Sequence, residues 1–156
     1  MSDAPNLLDP ATAGGEGSVG RWVPWYASEV TASTEHAHSG TGSVRIGVTA
    51  PWGWAAQLSG WPGTPTGPGA KRISFWARQG AGAVSAVTLR VKWFDEAGAL
   101  LDASIVPLEG LTAEWRQALA EVTAPPGTAT AHVEAYGESG SAGDSVHLDD
   151  VVIAAA

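Results

Sequence analysis

Residues 87–93 read Val-Thr-Leu-Arg-Val-Lys-Trp, an uninterrupted alternation of apolar and polar side chains. Successive side chains of a β-strand point to opposite faces of a sheet, so this pattern predicts a strand with one buried and one outward face. The apolar set is predicted to lie in the core: Val87, Leu89, Val91 and Trp93. The polar set forms the outward face: Thr88, Arg90 and Lys92.

The same period recurs on both sides of this segment. In residues 73–78, Ile73, Phe75 and Ala77 are predicted to point inward, and Ser74, Trp76 and Arg78 outward. Further strands are predicted over residues 44–48, 100–106, 116–122, 130–136 and 145–153. The 20 glycines and 10 prolines fall in short clusters between these segments, as turns between short strands require. The sequence therefore predicts one domain, residues 1–156, built as an antiparallel β-sandwich with jelly-roll topology and about eight or nine strands.

Composition excludes several functional classes. The chain has 16 acidic and 8 basic residues, a net charge of −8, which opposes binding to nucleic acid or to an anionic lipid surface. Cysteine is absent, so neither disulfides nor thiolate metal sites are available. No apolar segment has the length of a membrane span, and residues 1–8 lack the pattern of a secretory signal peptide.

Tryptophan is the unusual component: there are eight, beside two phenylalanines and two tyrosines. The tryptophan ring offers a large apolar face and one N–H donor, so it serves either as core or as a contact platform. The register assigns Trp93 to the core, and Trp22 and Trp115 are also predicted to be packed. The others are predicted to be contact residues. They are Trp76 on a sheet face, and Trp25, Trp52, Trp54 and Trp61 in loops that meet a ligand rim or a protein partner.

The order of several short motifs resembles carbohydrate-binding modules of the 4/9 type, within the galactose-binding-like jelly rolls, over nearly the whole chain. The motifs are Asn6–Leu8, Gly20–Trp22, Ala37–Ile46, Ile73–Arg78, Val91–Gly98, Trp115, Pro125–Gly127 and Val146–Val151. The resemblance implies a non-catalytic module whose concave sheet is a sugar-binding groove. The predicted groove residues are Trp76, Arg78, Arg90, Lys92, Glu134 and Tyr136. The alternative is that a loop or a neighbouring subunit covers this face.

The resemblance also raises the question of a structural calcium ion. Family members often have an acidic residue shortly after the opening Asn-Leu motif, which contributes to a calcium site with the Leu-Asp-Asp segment. Here that stretch reads Asp-Pro-Ala-Thr-Ala over residues 9–13, which argues against calcium, and no cofactor is predicted. His36 and His38 share one side of an extended segment, but no third metal ligand is evident, so solvated loop histidines are expected. His132 and His147 are expected to be outward and neutral.

An enzyme is not predicted. Glycoside hydrolysis usually requires two carboxylates at a controlled separation, whereas Asp149 and Asp150 are neighbours on one strand and should point to opposite faces. The leading hypothesis is a non-catalytic module on a phage virion, in the tail or the head, which contacts a glycan or the host surface within a homo- or hetero-oligomeric assembly. Similar domains occur in phage tail and head accessory proteins. The alternative is a purely structural decoration protein, and a small glycan-active enzyme comes third.

Overall fold

A computed structural model describes residues 4–138 and 140–156. These residues form a sandwich of two antiparallel sheets, which confirms the predicted all-β fold. The elements, in chain order, are α1 (Pro10–Gly14), β1 (Trp22–Tyr26), β2 (Ser28–Ser33), β3 (Ser43–Val48), β4 (Trp54–Leu58), β5 (Thr64–Pro65), β6 (Gly69–Gln79), β7 (Ala86–Phe94), β8 (Leu100–Glu109), β9 (Arg116–Ala124), β10 (Thr130–Gly137) and β11 (Ser145–Ala155).

Each of the two sheets combines strands from distant parts of the chain. Sheet A has the order β1-β4-β10-β7-β8, with the two-residue β5 paired to β10. Sheet B has the order β2-β3-β11-β6-β9. The most important consequence for the site is that β6 and β7, adjacent in sequence, belong to different sheets.

The core lies between the two inner faces, and the predicted register is confirmed there. Residues 87, 89, 91 and 93 of β7 are fully buried, as are residues 73, 75 and 77 of β6. The indole Nε1 of Trp93 donates a hydrogen bond of 2.9 Å to the hydroxyl of Ser104, so the one polar atom of this core ring is satisfied.

Three strands of at least five residues were not predicted from the sequence pattern, and neither was the helix α1. The strands β1, β2 and β4 lack a run of alternating large apolar residues, since β1 contains Pro24 and β4 has alanine at two of its five positions. Helix α1 does carry a local signal: the Asp9 carboxylate caps the amide of Thr12, Pro10 occupies the first turn, and Gly15 ends the helix with φ 68°. No helix in the described part of the chain is long and apolar enough to cross a membrane.

Candidate functional site

The outer face of sheet A gathers charged and aromatic side chains from neighbouring strands. In the centre, Glu134 of β10 is paired in register with Gln57 of β4 on one side and Arg90 of β7 on the other. His132, two residues before Glu134 on β10, pairs with Lys92 of β7. At the other end, Tyr136 pairs with Thr88. Strand pairing therefore brings four of the predicted groove residues together: Arg90, Lys92, Glu134 and Tyr136.

Glu134 is the electrostatic centre of this face. Its side chain is fully buried, the Nζ of Lys92 lies 2.6 Å from Oε1, and an Nη of Arg90 lies 3.1 Å from Oε2. A buried carboxylate without such partners would be strongly unfavourable, so the two cations stabilise this charge. The cations are themselves held in place, and each remains partly exposed to the groove.

Exposed aromatic rings flank the ion cluster. Trp25, Tyr26 and Trp61 are each more than half exposed, at 51%, 60% and 59%. The Lys92 ammonium lies 5.6 Å from the centre of the Trp25 ring, and the Arg90 guanidinium lies 4.7 Å from the centre of the Tyr136 ring. We call this surface the aromatic groove. It comprises Trp25, Tyr26, Gln57, Trp61, Arg90, Lys92, Glu134 and Tyr136.

Trp61 stands at one end of the groove and a cleft lies at the other. The Trp61 ring packs edge-on against Phe94, at 4.6 Å between centroids, and against His132, at 4.8 Å. At the opposite end, a cleft of about 230 Å³ adjoins Thr88 and Tyr136. From Phe94 to Thr88 the strand spans about 20 Å.

His132 forms part of the groove floor and is neutral. Burial lowers its pKa, and its Nε2 lies 3.1 Å from the carbonyl oxygen of Leu58. In the neutral ring Nε2 donates to that carbonyl, so Nδ1 is left as an acceptor, 4.0 Å from Glu134 Oε1. The outward register predicted for His132 is confirmed, although the ring is buried beneath Trp61 rather than solvated.

Trp76 and Arg78 do not belong to this groove, which corrects the prediction of a single face. Both lie on β6 in sheet B, where β11 and β9 are the neighbouring strands. They do point outward, as predicted, but from the opposite side of the sandwich. The alternation of β6 and β7 specifies inward and outward positions, and it contains no information on which sheet each strand joins.

A loop covers Trp76. The imidazole of His38 stacks on the Trp76 ring, with centroids 3.8 Å apart and an interplanar angle of 16°. The Asp150 carboxylate holds this histidine through its ring nitrogen, at 2.7 Å, and accepts the hydroxyl of Ser39, at 2.6 Å. The outer face of sheet B is thus closed at Trp76 by residues of its own chain.

Asp149 anchors the same loop, so the prediction that Asp149 and Asp150 serve opposite faces is wrong. Asp149 is buried and accepts the amides of His38, at 2.8 Å, and Ser39, at 3.0 Å. The register of β11 shifts between residues 149 and 152, and Asp150 has φ 48°, which turns its side chain to the same loop. Burial raises the pKa of Asp149, while these amides oppose that shift.

The remaining tryptophans divide between core and surface. Trp22 and Trp93 are buried, as predicted. Trp54 was predicted to be a contact residue, but it is 1% exposed and part of the core, because β4 places it on the inner face. Trp115 is only half-buried, beside His38 at 5.9 Å, so its assignment to the core was also wrong. Trp52 is 87% exposed in the loop before β4.

The residues near the start of the chain do not fit a calcium ion. The Asp9 carboxylate is occupied by the amide and the hydroxyl of Thr12. The Asp149 carboxylate accepts hydrogen bonds from the backbone N–H groups of His38 and Ser39. The hydrogens of these groups point at the oxygen that a cation would need as a ligand. Within the described residues, no three His, Asp or Glu side chains form a group that could hold a metal ion. His36 packs edge-on against His147 instead of pairing with His38.

Sequence reasoning missed one member of the groove, Gln57, which lies on β4, a strand without a clear period. Tyr26, which the sequence places with Trp25 in an early loop of contact residues, lies on β1. A usable signal was present for Gln57, the only polar side chain in Trp54–Leu58. An isolated polar residue between small apolar ones is expected to mark the outward face of a strand.

Solved carbohydrate-binding modules share this fold. The CBM22-1 xylan-binding domain of Paenibacillus barcinonensis Xyn10C aligns with 99% of this chain and 96% of its own, at a TM-score of 0.69 and 20% identity. TmCBM61, solved with β-1,4-galactotriose, aligns over 98% and 100% of the two chains, at a TM-score of 0.63 and 21% identity. The enzymatically active domain of tailspike protein 4 from bacteriophage CBA120 aligns over 96% of this chain but 21% of its own, at a TM-score of 0.70 and 12% identity.

No protein-family model and no curated protein sequence matches the chain. The similarity to solved structures therefore establishes the jelly-roll fold that carbohydrate-binding modules use, as the motif order predicted.

Proposed function

We propose that this protein is a non-catalytic carbohydrate-binding module that binds a glycan chain in the aromatic groove. One observation carries the proposal: exposed rings of Trp25, Tyr26 and Trp61 border a row of charged groups already held in place on one sheet face. Aromatic faces stack on the apolar C–H surfaces of sugar rings, and the charged groups bind hydroxyls. The folds shared with the CBM22 and CBM61 domains support this function.

The groove chemistry supports binding without catalysis. The register places one carboxylate on this part of the sheet, Glu134, and both of its oxygens face cations. Glycoside hydrolysis usually uses a pair of carboxylates, of which one holds a proton. The Glu134 carboxylate is instead bridged by the cations of Lys92 and Arg90.

A glycan array with matched tryptophan variants tests the proposal. Wild-type protein is expected to bind a subset of glycans, and Trp25→Ala and Trp61→Ala are each expected to weaken that binding about tenfold, since an aromatic stacking contact contributes up to about 1.4 kcal/mol. Trp76→Ala is the matched control on the other sheet and is expected to change the affinity less than twofold. An array on which the folded wild-type protein binds nothing rules out the module function.

We further propose that the module is displayed on a phage virion, where it contacts glycans of the host surface. The similarity to a domain of a bacteriophage tailspike supports this location. Mass spectrometry of purified virions, together with immunogold labelling, should find the protein on the particle surface. Its presence only in the soluble fraction of infected cells would exclude the virion role.

The second candidate is a structural decoration protein, and Trp52 favours it. Trp52 is 87% exposed, the highest fraction among the large hydrophobic residues that the structure describes. Such a ring is suited to being buried against a neighbouring subunit. If decoration is the function, Trp52→Ala should reduce incorporation into particles, while Trp25→Ala should not. The opposite pattern, with normal particles that no longer adsorb to the host, supports the glycan-binding function.

A further inference from the structure

The ion cluster in the groove has an unbalanced charge. Two cations, Arg90 and Lys92, face one carboxylate, Glu134, and the neutral His132 adds nothing. The positions that neighbour this cluster on the outer face hold uncharged side chains: Gln57 beside Glu134, Ile105 beside Arg90, and Ala103 beside Lys92. Among residues 4–138 and 140–156, one positive charge is therefore left without a partner at the centre of the groove.

This excess is unusual for the molecule as a whole. The chain carries a net charge of −8 and has eight cationic side chains, two of which are placed side by side in this cluster. A third, Arg21, lies near enough to His132 to contribute to lowering its pKa. The carboxylates Glu109 and Glu138 line the cleft at the Tyr136 end, so the positive end of the groove is the one with Lys92 and Trp61.

The partly exposed cations can accept an anionic partner. The side chains of Arg90 and Lys92 retain 31% and 22% of their exposure, while Glu134 has none. The Lys92 ammonium also lies beside the Trp25 ring, so a sugar stacked on Trp25 would place a ring substituent next to it. Contacts between charged donors and a carboxylate or sulfate are stronger than those to a neutral hydroxyl.

From these observations we propose that the groove selects an acidic glycan, one whose sugar ring carries a carboxylate or a sulfate that binds Lys92 and Arg90 beside Trp25. This inference rests on the proposed carbohydrate-binding function and specifies the ligand class of the same site. Glu134 balances one of the two positive charges, and the anion of the ligand balances the other. The aromatic rings bind the apolar face of the same sugar.

The test measures a ratio of affinities rather than a single affinity. Alginate, polygalacturonate, hyaluronan and glucuronoxylan are each compared with their carboxyl-reduced forms, and heparin with desulfated heparin, by titration at 0.15 M salt. At that ionic strength the Debye length is about 8 Å, so remote carboxylates of the protein are screened while a direct ion pair persists. We expect at least one acidic member to bind about tenfold more tightly than its neutral counterpart, and the pair that shows the difference identifies the anion.

Three variants assign the preference to the cluster. Lys92→Gln removes one of the two positive charges, so the cluster has no excess charge, and it should bring the acid-to-neutral affinity ratio close to one. Lys92→Arg keeps the charge and should keep the ratio, which assigns the preference to the positive charge rather than to the lysine side chain itself. Arg72→Gln removes the same charge from an exposed position on sheet B and should leave the ratio unchanged.

The outcomes separate this inference from the proposed function. Equal binding of acidic and neutral members, or binding only to neutral glycans on the array, overturns the acidic-ligand inference and leaves the module function intact. An equal loss of preference in Arg72→Gln and Lys92→Gln overturns it as well, because the effect would then come from overall charge. A folded protein that binds nothing in either format overturns the module function.

Discussion

The outer face of sheet A leaves the rings of Trp25 and Trp61 exposed beside a buried ion cluster, whereas the outer face of sheet B holds Trp76 beneath the stacked ring of His38. Both faces carry outward tryptophan and charged residues. They differ because Asp149 and Asp150 fasten a loop across sheet B. An outward aromatic residue is thus a ligand contact on one face and a packing partner on the other.

The buried charge of the groove should produce the largest effect. A variant carrying Arg90→Met and Lys92→Met leaves the Glu134 carboxylate buried without a cation and should lower the free energy of unfolding by about 3–5 kcal/mol. Adding Glu134→Gln removes the stranded charge and should recover part of the loss. Urea denaturation measures all three proteins, and a double variant as stable as wild type would mean that Glu134 does not need its partners.

On sheet B, His147 should make stability depend on pH. Burial lowers the pKa of its imidazole to about 4, and its Nδ1 lies within hydrogen-bond distance of the Ser43 hydroxyl, at 2.9 Å. The unfolded chain, with a pKa near 6.5, binds a proton that the folded chain does not, so stability is fully present above about pH 6.5 and falls as the pH drops towards 4.

Between pH 6.5 and 5 this single group should cost about 2 kcal/mol. Urea denaturation of wild type and His147→Gln across this range should show that the stability of wild type falls more steeply with decreasing pH than that of the variant, which keeps the contribution of His132. Parallel curves would show that His147 does not titrate differently in the folded state.

Substitutions at Trp76 and Trp25 should have opposite effects: the first should reduce stability and the second should reduce glycan affinity. Trp76→Ala should reduce stability by about 1–2 kcal/mol, because His38 loses its stacking partner, while glycan affinity changes less than twofold. Trp25→Ala should change stability by less than about 0.5 kcal/mol and weaken binding about tenfold. Thermal unfolding and titration on the same samples check both parts. Loss of binding in Trp76→Ala would contradict the assignment of the groove to sheet A.

The smallest effect is expected from the exposed ion pair on sheet B. Arg45 lies 3.2 Å from Glu29, whose side chain is 59% exposed, so solvent and salt screen their attraction. Glu29→Gln should cost about 0.5 kcal/mol or less, and the effect should vanish in high salt. A double-mutant cycle with Arg45→Gln measures the coupling. A value comparable with that of the Glu134 cluster would mean that burial does not set the strength of these pairs.

The strand pattern predicted much of the fold and only part of the site. Alternation located β6 and β7 and their inward residues, because a buried face imposes a period of two on any strand. It also predicted the outward groove residues Arg90, Lys92, Glu134 and Tyr136. It failed for Trp54, in a strand of small residues, and for the adjacent Asp149 and Asp150, where a shift in register breaks the period.

The local pattern of residues is sufficient for the all-β class and for the inward and outward positions of the long strands, and the composition is acidic and free of cysteine. Tertiary structure alone decided which outward residues meet, because sheet membership depends on long-range pairing that no local period encodes. It paired β7 with β10 and thereby joined Arg90 and Lys92 to Glu134, and it placed Trp76 on the opposite side of the sandwich. Whether a tryptophan ring stayed exposed depended on the course of a loop, fixed by two carboxylates more than 100 residues away along the chain.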